Sequence, residues 1–219
     1  MTQADNEYHE TEVKHILLSR FNDIYNTLDD REKPKIDLFD YTQNIGVEIT
    51  ISSLCDDEIK LYELGLRGQQ AISKNYNYNL YKTRSFSVKS KIYDESENGW
   101  TNFALDVFKY SFEKKNNHHK SHYNNYSKTD LFIHDLLYRH ILINKQIFMN
   151  KILEYFNTYN KIIRFRYVYF EIFTGNNCTI FMFDVNNNLC KYIDISNYEM
   201  NIIGLYTKYE QYIKDLQLK

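Results

Sequence analysis

A single proline, Pro34, separates a helical pattern from a β-branched one, and no other residue of the 219-residue chain restricts its fold as strongly. Before it, Val13, Ile16, Leu17, Phe21, Ile24, Tyr25 and Leu28 recur at the spacing of one helix face, which predicts a helix over residues 10–28 with that face buried. The charged run Asp29-Asp30-Arg31-Glu32-Lys33 ends the pattern. Proline then bars its return, having no N–H to donate and a ring that clashes with the preceding turn. After it, Lys35 to Tyr41 and Ile45 to Ser52 read as two strands around the turn Thr42-Gln43-Asn44, the second rich in Val47, Ile49, Thr50 and Ile51. Helical spacing resumes over 56–74, 101–115 and 141–159. Residues 131–137 read as a strand, 162–173 with 178–185 as a hairpin, and 199–216 as a final amphipathic helix. Alternating helices and strands predict an α/β fold. The expected division is a domain over 8–185 and a C-terminal helical cap over 186–219.

Composition limits the class of protein. Apolar residues make up 43% and charged residues 26%, enough to build a core, which excludes wholesale disorder. No apolar run reaches the roughly 18 residues needed to cross a bilayer, and the first twelve residues are polar and acidic, so a cytoplasmic, membrane-free protein is expected. Cys55, Cys178 and Cys190 are too scattered for a disulfide framework and read as reduced core thiols. The net charge of -2 conceals a division: residues 1–58 carry 5 basic and 14 acidic side chains, and residues 59–128 carry 12 and 6. A nucleic-acid-coating protein would be basic throughout. An acidic front and a basic middle instead fit carboxylates on one wall of a site and a phosphate-facing segment on the other, or two solvated surfaces. Nucleotide-binding glycine loops, the G-x-S-x-G elbow and H-E-x-x-H are all absent, which argues against nucleotide-dependent enzymes.

Chemistry concentrates in Pro34 to Thr50. Asp37 and Glu48 stand among apolar neighbours on paired strands, and a carboxylate in such surroundings is normally hydrogen-bonded, ion-paired or on a metal, because burying it alone costs several kcal/mol, about 3–5. Across a hairpin the two would reach one hard divalent cation through oxygen. The plainer alternative is a structural protein in which both are simply hydrogen-bonded.

The segment resembles the PD-(D/E)XK nuclease superfamily, in which an Asp opens one strand and an (Asp/Glu)-x-Lys follows on the next. Asp37 matches the first position, Glu48 the second, and Ile45-Gly46-Val47-Glu48-Ile49-Thr50 is similar to the apolar strand of many members. The order of helix, carboxylate-bearing strands, helix and strand over residues 10–137 matches too. The resemblance implies a restriction-endonuclease-like fold and Mg²⁺- or Mn²⁺-dependent hydrolysis of DNA phosphodiesters, in a bacterial or phage restriction or defence setting. The implied ligands are Asp37, Glu48 and the Ile49 carbonyl, with Glu12, or less readily Glu10, from the first helix. Those two glutamates alternatively only complement the positive end of that helix. DNA is the implied partner, and whether two copies or another protein join it stays open.

The chain departs from the pattern at the lysine, where it has Thr50. Lysine steadies the charge that develops at phosphorus, and in this superfamily it migrates between elements. Lys35, Lys114, Lys115 and Lys120 are the candidates, Lys115 first and Lys120 second, and the catalytic set expected is Asp37, Glu48, Lys115 and Lys120. Thr50 also favours an alternative, a non-catalytic interaction protein on the same fold, such as a phage-encoded inhibitor or a sensing subunit of a defence system. His118-His119-x-x-His122 has partial zinc spacing, but its Asn-rich surroundings read as a loop. Asn75 to Arg84 interleaves tyrosines with polar and basic residues, as base-stacking surfaces do, in a chain that holds 21 tyrosines throughout.

Overall fold

The computed structural model describes residues 3–29, 36–52, 85–88, 91–94, 96–118, 126–134, 143–174 and 177–196. The expected helix 56–74, the stretch 75–84, and the expected helix 199–216 lie outside the described residues, as do Cys55, Lys35, His119, Lys120 and His122. No helix among the described residues is long and apolar enough to cross a membrane.

Helix α1 spans Gln3–Arg20. Its apolar stripe, Val13, Ile16 and Leu17, is fully buried. The helix ends eight residues before the apolar pattern does: Ile24 and Tyr25 both donate to the Phe21 carbonyl at 2.9 Å, tightening the chain into turns at the poor helix formers Asn22 and Asp23. Phe21, Tyr25 and Leu28 remain buried, so periodicity located the core face but overran the helix.

Asp40 holds the departing chain. Its Oδ2 accepts from the Asn26 and Thr27 backbone N–H groups at 3.1 and 3.2 Å, while Oδ1 accepts from the Thr42 N–H and hydroxyl at 2.9 and 2.6 Å and the Gln43 N–H at 3.1 Å. Burial pushes this carboxyl up, but the bonds from Thr42, Thr27, Gln43 and Asn26 prevail and hold it below its ordinary value. Its stabilisation is therefore complete above the unfolded carboxylate range and lost as pH falls through the lower folded value. Asp40→Ala is expected to cost about 3 kcal/mol at neutral pH and much less near pH 2. Denaturant melts at the two pH values check this, and a pH-independent loss would refute the reading.

Strands β1 (Leu38–Asp40) and β2 (Ile45–Ile51) form an antiparallel pair, Leu38 opposite Val47 and Asp40 opposite Ile45. The turn between them ends at Asn44, φ 54°, a conformation Asn tolerates. Gly46 is needed for close packing, since a Cβ there would lie 2.3 Å from Ile36 Cδ1 and 3.2 Å from Tyr126 Cγ. A separate hairpin, β3 (Ser85–Val88) and β4 (Lys91–Asp94), follows. Helix α2 (Glu97–Asn117) starts earlier than its apolar pattern because Ser96 caps it, accepting from the Gly99 N–H at 3.1 Å. Then come β5 (Lys128–His134), α3 (Lys145–Thr158) capped by Asn144, β6 (Tyr167–Thr174), β7 (Asn177–Asp184) and β8 (Leu189–Ser196).

Six strands make one mixed sheet in the order β1-β2-β5-β6-β7-β8. The β2/β5 and β5/β6 pairs are parallel and the others antiparallel. Parallel neighbours require crossovers, and α2 and α3 lie in those two connections. They bury Phe103, Val107, Phe108, Phe112, Phe148, Ile152 and Phe156 against Leu131, Ile133, Val168, Phe170, Phe181 and Phe183. Helix α1 covers the opposite face, on Val47, Phe132, Tyr169, Ile180, Met182 and Ile195. Alternation along β5 and β6 sends successive residues to the two layers, so both strands are apolar on both sides. The expected boundary at 185 falls inside the turn from β7 to β8, and residues 189–196 are sheet rather than helical cap, because Ile195 is buried on the α1 side.

Candidate functional site

The Leu38-to-Val47 register, continued by one residue, sets Asp37 opposite Glu48 on the edge of the sheet. Asp37 is fixed by the backbone, its Oδ2 accepting the Ile49 N–H at 2.7 Å. In a strand the N–H and C=O of one residue point the same way, so the Ile49 carbonyl is on the Asp37 side of β2. Glu48 points to the α2 layer, opposite to Val47. There its Oε1 forms an ion pair with Lys115 Nζ from the last turn of α2. Glu48 is nearly buried, whereas the Lys115 side chain is 27% exposed, so the ammonium joins a buried carboxylate to the solvent.

Four elements contribute charge here. Burial raises the Asp37 carboxyl first, the Glu48 charge adds to this, the Ile49 N–H and Lys115 oppose it, and Glu10 of α1 raises it further, to about 6. Glu48 and Glu10 both disfavour the Asp37 charge, and Lys115 offsets part of this. Asp37 and Glu48 bring two carboxylates to one sheet edge, oxygen donors of the hard kind that Mg²⁺ and Mn²⁺ take. Glu10 and Glu12, the two candidate carboxylates of α1, flank opposite sides of its apolar stripe, since the helix turns about 100° per residue. Glu12 faces His134. Thr50 is a half-buried strand residue, and Lys114 offers its carbonyl to His118 at the end of α2.

The Asp37 shift has a stability consequence. An acid whose folded pKa exceeds its unfolded value binds protons more readily when folded, so stability falls as pH rises between the two values, here from about 4 to about 6. Asp37→Asn, whose carbonyl still accepts the Ile49 N–H, is expected to raise the melting temperature of chelator-treated protein by several degrees at pH 7.5 and hardly at pH 4. Equal melting temperatures at pH 7.5 would contradict the shift.

A second polar cluster lies on the α1 side. His134 Nδ1 is hydrogen-bonded to Glu171 Oε2, Glu171 Oε1 accepts from Cys178 Sγ at 3.2 Å, and His134 Nε2 is 3.4 Å from Glu12 Oε2. The His9 and His134 rings are 5.2 Å apart. Burial lowers the His134 pKa, but the charges of Glu171 and Glu12 overcome it and raise the imidazole to about 10. His118, of the stretch read as an Asn-rich loop, is exposed at the α2 C-cap. Spacing signals only the pair His9 and Glu12 on one helix face, since strand pairing supplies the rest. A pocket of about 370 Å³, with Lys128, Arg164 and Arg166 in its lining, opens beside the start of β5 and β6. Its Arg166 is already engaged by Asp130.

No protein-family model, curated protein or solved structure matches the chain.

Proposed function

We propose that the protein is a metal-dependent nuclease of PD-(D/E)XK type that hydrolyses phosphodiester bonds, DNA being the favoured substrate. The observation that carries this reading is the meeting of Asp37 and Glu48 at the sheet edge with Lys115 ion-paired to Glu48. Thr50 leaves a β2 side chain without charge where the family has lysine. Lys115 brings an ammonium to the same carboxylate from α2, which favours catalysis over the interaction-protein alternative.

Bound Mg²⁺ or Mn²⁺ would polarise the phosphate and lower the pKa of a coordinated water. Asp37 must first lose its proton, which a value near 6 permits at neutral pH. Glu48 orients Lys115, whose exposed ammonium meets the non-bridging phosphate oxygens as their charge grows. The bacterial or phage restriction and defence setting belongs to this same reading.

The test is incubation of the purified chain with supercoiled, linear and single-stranded DNA and with RNA, in Mg²⁺ or Mn²⁺. Cleavage that stops on chelation is expected. Intact substrates in both metals would overturn the proposal and return the fold to the interaction-protein reading.

A further inference from the structure

We propose that His9, Glu12 and His134 form a second metal site, separate from Asp37 and Glu48, that takes one zinc-class divalent ion. One ligand atom from each residue lies within 4.8 Å of the other two, and all three residues are buried. His134 is the centre of the argument. Its side chain has no exposed surface, its Nδ1 is committed to Glu171, and its Nε2 is paired with Glu12 at 3.4 Å.

The Nε2-to-Oε2 separation of 3.4 Å bears on the occupant. A charge-assisted hydrogen bond would draw nitrogen and oxygen to about 2.7–2.9 Å. Two ligands of one tetrahedral zinc, each about 2.0–2.2 Å from the ion, stand about 3.3–3.5 Å apart. The observed gap is that of a long ion pair and also suits the second. Glu171 supplies what metal-bound histidines usually have, a carboxylate on the other ring nitrogen that fixes tautomer and ring orientation. Two imidazoles and one carboxylate are a donor set typical of zinc, whereas Mg²⁺ prefers oxygen alone. His9 and Glu12 lie one turn apart on α1, and His134 ends β5, so the ion would fasten the helix to the sheet.

The full chain, treated with chelator and then titrated with Co²⁺, is expected to bind one ion at this site with visible ligand-field bands of tetrahedral intensity, which Zn²⁺ abolishes by displacement. Zn²⁺ at about 100 times its dissociation constant should raise the melting temperature by about 5–10 °C. His9→Ala and Glu12→Gln, which spare the buried His134, are expected to lose the bands and the thermal shift. Glu171→Gln should weaken affinity about 10- to 100-fold. Asp37→Asn combined with Glu48→Gln should keep the bands. Absence of Co²⁺ bands and of any Zn²⁺ shift would overturn the proposal, as would bands that survive Glu12→Gln and vanish with Asp37→Asn and Glu48→Gln. Loss of cleavage with the bands intact would be a failure at Asp37 and Glu48 alone.

Discussion

Glu48→Gln is expected to remove metal-dependent cleavage almost entirely, about 10³-fold or more in kcat/KM, while the chain stays folded. The amide keeps the size of the side chain and deletes the charge that pairs with Lys115 and that the proposed ion would need. Breaking a fully buried ion pair costs about 3–5 kcal/mol, but the Lys115 side chain is 27% exposed and water takes over its solvation, so a stability loss nearer 1 kcal/mol is expected. Lys115→Ala is expected to lower kcat about 10²- to 10³-fold and leave metal affinity nearly intact, because an ammonium acts on the developing charge and is no ligand. It should also displace the acid limb of the pH–rate profile upward, since Lys115 is one of the groups that restrain the Asp37 pKa. A wild-type rate in Glu48→Gln would dismiss this strand as the metal site. An unmoved acid limb in Lys115→Ala would separate the lysine from Asp37.

The parts of this site that the sequence displays are those whose signal is local. Asp37 and Glu48 are readable because a carboxylate inside an apolar strand pattern is anomalous, and Lys115 because the helix pattern ends there. Glu10 against Glu12 was not decidable, since both flank the same stripe of Val13, Ile16 and Leu17. The choice depends on which strand underlies each flank, with β2 and β5 supplied from far along the chain. His134 and Glu171 were hidden for a like reason: 37 residues separate them, and they meet only because β5 and β6 run parallel.

Elements with strong two-sided burial were legible, and half-polar ones were not. β5, β6 and β7 stand close to their expected places because their apolar runs have no other use. Helix α1 stops short of its pattern at the turns around Asn22 and Asp23, and hydrogen bonds from Asn26 and Thr27 to Asp40 hold the chain beyond it. β8 escaped notice because Leu189 and Tyr192 are exposed and only its inner positions are apolar, as on an edge strand.

Asp130→Ala is expected to be the most destabilising of these substitutions, at about 3–5 kcal/mol, or a fall in melting temperature of about 10 °C. The carboxylate has no exposed surface. It accepts Arg166 Nε and Nη2 at 3.1 and 2.6 Å, the Tyr167 N–H at 3.0 Å and the Tyr25 hydroxyl at 2.7 Å. One side chain thus joins the segment after α1 to β5 and β6, and its loss leaves a guanidinium and a peptide N–H with unmet donors, while the Tyr25 hydroxyl keeps Tyr169 Oη at 3.1 Å. The exposed pair Lys145–Asp194 is the control, where Lys145→Ala should cost under about 1 kcal/mol. Replacing both Asp130 and Arg166 by apolar residues should recover much of the loss, because the penalty comes from the orphaned charge more than from the missing attraction. Asp130 shares the α1 face with Val47 whereas Glu48 faces α2, so cleavage well below the melting temperature should survive Asp130→Ala. Losses as small as the Lys145 control would mean that the network carries no more stability than a surface pair.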